Sequence, residues 1–302
     1  MRRLLLVTAL LLLATNGPGA QSGLDKAAQQ WVDATLKKLT HEQLAGQMVF
    51  APLDSTYLSS DSDKYDALVR LIHESHIGGV IAFGGSEPVP QVMLNPTYSP
   101  TILGQPMELA SLLNRLQSVS ALPLLAASDF EWGAGMRLAG ATKFPRAMAF
   151  GATGDPQLAY EAGKITAVES RGMGVHVDFG PVADVNNNPR NPVINIRSFG
   201  EDPARVGAMV AGWVKGVQEA GMLATLKHFP GHGDTHQDSH LALPQVDLSG
   251  SELDTTELAP FRAAAAESGE SRMTSAPAFA AWTAASPAEA IFAIAALFIE
   301  SV

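Results

Sequence analysis

Short apolar runs recur along this chain, and amphipathic stretches separate them. Runs at 47–52, 77–83, 122–128, 174–182 and 222–228 read as strands. Between them, 63–75, 107–120, 156–171 and 203–219 carry helical patterns. Ahead of the first strand, LDKAAQQWVDATLKKLT places Ala28, Trp31, Val32, Leu36 and Leu39 near one helical face, and HEQLAGQ is a second, short helix. After the fifth strand, SGSELDTTELAPFRAAAAESG predicts one helix over 249–269, and RMTSAPAF at 272–279 a sixth strand. The segment 86–106 holds Pro88, Pro90, Pro96, Pro100 and Pro106 and reads as one long loop.

Alternating strands and helices predict a parallel α/β architecture. The polar residues choose between an open sheet and a barrel. Asp129 and Glu131 follow the third strand, Asp184 and an Asn run follow the fourth, and Lys227 to His240 follow the fifth. Polar clusters at the C-terminal ends of several strands are where a (β/α)8 barrel builds its site. No GxGxxG turn supports a dinucleotide-binding sheet. The prediction is a TIM-type (β/α)8 barrel. Eight βα units need about 250 residues, and the tail after the sixth strand is too short for two more, so the barrel is expected to be incomplete at its C-terminus.

Composition narrows this further. The 302 residues are 46% hydrophobic and 17% charged, which suits a sizeable core. The net charge of −10 argues against nucleic acid or an anionic membrane as the main partner. The N-terminal MRRLLLVTALLLLATNGPGAQS has the basic start, apolar run and small-residue end of a secretory signal peptide, assigned to residues 1–22. The expected location is secreted or periplasmic. The chain has no cysteine, so neither a disulfide nor a thiol for lipid attachment is available. A soluble monomer without a membrane partner after cleavage is expected.

The densest chemistry is KHFPGHGDTHQDSH at 227–240. His228, His232, His236 and His240 recur every four residues, with Asp234 and Asp238 among them. On a helix this spacing would make a stripe of metal ligands. Pro230, Gly231 and Gly233 break that helix, so no metal and no cofactor are predicted. A polar loop without a role remains an alternative. A Gly-hinged loop can instead carry a catalytic group in and out. Asp234 is close enough in sequence to orient the His236 imidazole as a general acid/base.

These residues, with others, resemble glycoside hydrolase family 3 in its β-N-acetylglucosaminidase branch. SDFEWGAGMR at 128–137 is similar to the family's Asp-x-Glu-Gly-Gly-x-x-x-Arg segment, with Trp132 in place of the first Gly. KFPRAMAFGAT, the stretch DFGPVADVNNNPRNPVINIRSFGEDP, LALPQ and ELAPF continue the likeness in order, over roughly residues 28–265. The implied domain is 23–265, followed by an atypical Ala-rich tail at 266–302. The resemblance implies hydrolysis of terminal non-reducing N-acetyl-β-D-glucosaminyl residues from peptidoglycan fragments or chito-oligosaccharides, by a retaining mechanism. It implies that Asp129, Arg137, Arg197, Lys227 and His228 bind the sugar, and that His236 with Asp234 is the acid/base pair. Simpler roles compete: Arg197 could pair with Glu201 or Asp202 at the surface, and Asp129 could cap a helix. The family's nucleophilic Asp segment is not visible after residue 265, which implies a chain without turnover. The alternatives are a non-catalytic sugar-binding remnant and a metal-dependent hydrolase using the His cluster.

Overall fold

The computed structural model describes residues 25–84, 103–238, 246, 248–268 and 273–277. Two helices lead in. α1 (Lys26–Leu36) starts where the Asp25 carboxylate accepts the Ala28 amide, and α2 (His41–Gln47) where Thr40 and Gln43 cap each other reciprocally. Such a cap is worth about 1 kcal/mol.

The chain then alternates: β1 (Phe50–Asp54), α3 (Asp63–Glu74), β2 (Gly79–Phe83), α4 (Pro106–Val119), β3 (Leu125–Ser128), α5 (Ala147–Thr153), α6 (Pro156–Gly172), β4 (Val177–Asp178), α7 (Pro203–Glu219) and β5 (Leu223–Phe229). A helical turn (Gly250–Glu252), a π-helical turn (Leu253–Glu257), α8 (Ala259–Ser268) and β6 (Met273–Pro277) follow. Residues that stop extended chain also start its helices. Asp155 and Asp202 each cap a helix whose first residue is Pro, and Ser62 caps α3.

The strands form one parallel sheet in the order β1-β2-β3-β4-β5-β6. Sequential parallel neighbours joined by helical crossovers are a barrel wall, and the fold is of the TIM-barrel type. Successive strand residues face opposite sides. One set, with Val80, Ala126 and Leu226, packs on Leu109, Leu112 and Leu116 of α4 and on Val210, Trp213, Val214 and Val217 of α7. Burying such a side chain stabilises by about 1.5–3 kcal/mol. The other set holds Ile81, Ala127 and Val177, which pair across neighbouring strands and so form one layer. Above that layer the strand ends deliver their next residues to one mouth. The packing of α6 on α7 is close at Gly216, where a Cβ would stand 2.1 Å from the Tyr160 carbonyl oxygen.

Two predicted elements differ, and one helix was not predicted. The fourth strand was expected over 174–182 and is confined to Val177–Asp178. Gly180-Pro181 turns the chain there, and Val182 makes only an isolated bridge to Lys227. The helix expected over 249–269 is three pieces, because Pro260 has no amide to continue the ladder and the turn before it is π-wound. α5 was not predicted, since seven residues of AMAFGAT show no period. The expected signal peptide at 1–22, most of the loop expected over 86–106 and the tail from 278 lie outside the described residues. Among the described residues no helix is long and apolar enough to cross a membrane.

Candidate active site

The site is built from the exits of β3, β4 and β5. β3 ends at Ser128, whose hydroxyl donates to the Ala82 carbonyl at 2.7 Å. The chain then turns over the mouth, pinned by Phe130, which is fully buried and whose amide donates to Asp178 Oδ1 at 3.0 Å. Asp129 and Glu131 flank that anchor, and both are buried.

Lys227, near the end of β5, lies between them. Its Nζ donates to Asp129 Oδ1 and to Glu131 Oε1, each at 2.8 Å. Arg137 Nη2 donates to Asp129 Oδ2 at 2.8 Å. Arg197 grips Glu131 with two parallel bonds, Nε to Oε2 at 3.0 Å and Nη2 to Oε1 at 2.8 Å. Fork-to-carboxylate pairing fixes geometry as well as charge. The surface pairing considered for Arg197 is therefore corrected. Asp202 instead caps α7 by accepting the Arg205 amide. Asp129 does not act as a helix cap either, since both its oxygens face cations.

Burial pulls the Asp129 and Glu131 carboxyls upward, but the neighbouring Lys and Arg charges outweigh it. Asp129 ends low, with Lys227 as its main partner, and Glu131 ends well below the usual range, with Arg197 as its main partner. Lys227 is raised, because the two carboxylates overcome its own desolvation. All of these groups are thus charged at neutral pH. Three cations face two carboxylates. An ammonium has three N–H groups, so Lys227 keeps one beyond its two carboxylates among the described residues.

A second carboxylate organises the other side. Asp184, fully buried after β4, accepts the backbone amides of His228 at 3.1 Å and His232 at 2.8 Å through Oδ1. Its Oδ2 stands 2.6 Å from His228 Nδ1. Burial drives the His228 pKa down to about 4 against the pull of Asp184, so the ring is neutral. A neutral ring that donates Nδ1–H to Asp184 leaves Nε2 as acceptor, and Arg197 Nη2 lies 3.3 Å from it. The peptide bonds Lys227–His228 and Phe229–Pro230 are cis.

The loop after β5 is tied at its base. Asn191 Nδ2 donates to the His232 carbonyl at 2.6 Å and the Gly233 carbonyl at 3.0 Å, and Asn188 Nδ2 to the Asp234 carbonyl at 2.7 Å. His232 is buried against Thr235. Asp234 is half-buried and His236 is exposed, and among the described residues no hydrogen bond joins them. The predicted Asp234–His236 pairing is not made in this conformation. Four-residue spacing does not form a stripe here, because the segment is strand, turn and loop. Among the described residues no cluster of three or more His, Asp or Glu is placed to hold a metal ion. The Asp-x-His spacing also occurs a second time, at Asp238 and His240, and His240 lies outside the described residues.

The structure therefore brings Asp129, Arg137, Arg197, Lys227 and His228 together and leaves His236 apart. Sequence reasoning noted Glu131 and Asp184 as strand-end acids but gave them no role. Each proves to hold a site cation or imidazole in place. It did not find Asn188, Asn191 or Glu257. The Asn run was a signal for the first two, since short amides in a loop bond to neighbouring backbone. The expectation that a nucleophile is absent falls on residues beyond 277, outside those described.

Comparison with known proteins bears on this arrangement. The family described as Glycosyl hydrolase family 3 N terminal domain matches residues 39–294. Beta-hexosaminidase A of Pseudoalteromonas piscicida is 37% identical over 245 residues, 74% of this chain and 38% of that protein. A Beta-N-acetylglucosaminidase/beta-glucosidase of Cellulomonas fimi is 32% identical over 247 residues, 82% of this chain and 39% of that one. Among solved structures, a family 3 beta-N-acetylglucosaminidase from Paenibacillus sp. str. FPU-7 superposes with a TM-score of 0.65 at 42% identity, covering 76% of this chain and 40% of that one. The chain thus spans about two fifths of the length of each of these relatives.

Proposed function

Because this chain belongs to glycosyl hydrolase family 3, we propose that it acts on terminal non-reducing N-acetyl-β-D-glucosaminyl residues, as a glycoside hydrolase. The observation that carries the reading is the buried set Asp129–Lys227–Glu131–Arg197, with Arg137 and His228 at its rim. Each carboxylate oxygen of Asp129 already accepts one cation and has a further lone pair, so it can accept sugar hydroxyls. The Arg and Lys donors face hydroxyl and acetamido oxygens. Fixed charges that need no rearrangement on binding favour a polar ligand without an ordering cost.

The chemistry in this reading falls to the loop. A general acid protonates the leaving oxygen, and a carboxylate on the opposite face of the ring attacks the anomeric carbon. His236 with Asp234 is the acid/base pair of the reading, and Asp238 with His240 offers the same spacing. The lack of an Asp234–His236 bond supports testing both. We further propose export of the protein by its N-terminal segment, and peptidoglycan fragments or chito-oligosaccharides as substrates.

The test is release of a chromophore from aryl N-acetyl-β-glucosaminide, compared with aryl β-glucoside, beside a binding titration with N-acetylglucosamine. Release from the first and not the second would show that a nucleophilic carboxylate is supplied by residues outside those described, against the expectation of no turnover drawn from the sequence. His236→Ala and His240→Ala separate the two pairs: the true acid/base loses about 10²–10⁴-fold on unactivated leaving groups. Binding without release would favour the sugar-binding reading, and no binding would overturn both.

A further inference from the structure

Glu257 ends the π-helical turn and is fully buried, yet among the described residues it belongs to no ion pair. Its Oε1 accepts Asn187 Nδ2 at 2.9 Å. No partner meets hydrogen-bond geometry at its Oε2, although the Gly233 amide of the loop lies near the carboxyl. That orphaned oxygen lies against the hinge of the loop: a Cβ placed on Gly231 would stand 2.3 Å from it. Gly231 has φ +135°, a backbone region open to glycine, so the close approach and the turn have the same cause. Phe261, one helical turn on, packs edge-on against Phe229 with ring centroids 5.4 Å apart. The 257–261 segment therefore touches both residues where the loop leaves β5. A buried carboxyl with one oxygen unsatisfied costs stability that a purely structural residue would not incur.

We propose that Glu257 is the positioning residue of the loop after β5: one buried carboxyl group, wedged beneath Gly231, holds the loop closed while protonated and loosens it when the proton leaves. The charges that act on it favour the proton. Asp184 and Asp234 both face it and are acidic. Asp184 is itself held ionised by His228 and His232 despite its burial. On its own segment, Asp254 and Arg262 pair with each other at the surface. Burial is the main cause that pushes the Glu257 carboxyl up, to about 7, and the Asn187 bond and Gly233 amide only moderate it. An open loop would return the group to the ordinary range near 4.5. Between those two values the closed form binds the extra proton. Opening then becomes easier as pH rises from about 4.5 to 7 and levels off above.

Two groups oppose this. His228 and His232 are both held low by burial, so exposure would let them take up protons and favour opening at acid pH. Their effect is shared by a Glu257→Gln variant, which keeps the shape and cannot ionise. The experiment is amide hydrogen exchange of His232 and Thr235, corrected for intrinsic rates, in the unliganded full chain from pH 4.5 to 8. The ratio of opening constants, wild type over Glu257→Gln, should rise by up to about tenfold per pH unit below 7 and flatten above it. A ratio independent of pH would overturn the proposal. Should the variant fail to fold, the Glu257 carboxyl is followed directly in the wild type by carbon NMR. A midpoint near 7 shared by the carboxyl and by the exchange of His232 and Thr235 upholds the proposal, and a midpoint near the ordinary 4.5, or exchange that does not follow it, overturns it. Neither readout needs a sugar, so failure here leaves the glycosidase reading untouched, and failure there leaves this one standing.

Discussion

Two neighbouring regions of the barrel mouth are built on opposite terms. At the exits of β3 and β5, Asp129, Glu131, Arg137, Arg197 and Lys227 each meet an opposite charge at 2.8 Å. A few residues along the loop, His236 is exposed and makes no bond to Asp234. The first region has its geometry before any ligand arrives. The second has its base tied by Asn188, Asn191 and Asp184, while His236 stands exposed beyond it. Recognition needs fixed donors and acceptors. An acid/base group must reach a leaving oxygen and then release the product, so it gains from a hinge. In the proposed reading, the fixed groups sit on strand ends and the acid/base group on a glycine-containing loop.

Lys227→Met should break the first region most severely. It leaves two buried carboxylates without their shared cation, which costs about 3–5 kcal/mol. Denaturant unfolding reads this, and a loss under about 1 kcal/mol would mean the cluster is solvated. The next effect is a pH slope. The His228 pKa is about 4 folded and 6.5 unfolded, so between those values the unfolded state binds more protons. Stability therefore falls as pH drops from 6.5 to 4, by up to about 3 kcal/mol at 1.36 kcal/mol per unit. Asp178 and Glu257, raised by burial to about 7, have the opposite sign and lose stability as pH rises toward 7. Unfolding of His228→Gln against wild type from pH 4 to 7 isolates the first slope. Asn191→Ala strands the loop carbonyls it serves and should cost about 1–3 kcal/mol. Limited proteolysis should then cut nearer Gly233 than in the wild type. His236→Ala should move stability by less than about 0.5 kcal/mol, as for an exposed side chain. A larger loss would place His236 in a packed environment and erase the contrast.

The barrel was legible because its strands and helices differ in period and its polar residues gather after strands. The binding cluster was legible as residue types at strand ends. Its pairing was not: Asp129 and Lys227 stand 98 residues apart, and only the pairing of strands in the sheet brings them within 2.8 Å. For the same reason the alternative weighed for Arg197 named the nearest acids in sequence, whereas it meets Glu131, 66 residues away. Glu257 was hidden inside what read as an uninterrupted amphipathic helix. The π-helical turn that aims it at Gly231 has no sequence period of its own.

The most direct test is a calorimetric titration of N-acetylglucosamine into wild type, Arg197→Ala and His236→Ala, each shown to be folded. If recognition resides in the prepaired cluster, Arg197→Ala weakens binding more than about tenfold, or 1.4 kcal/mol. His236→Ala should bind within about twofold of wild type. Equal losses in both, or full binding by Arg197→Ala, would contradict the proposed division between a prepaired binding cluster and a loop residue that takes no part in binding.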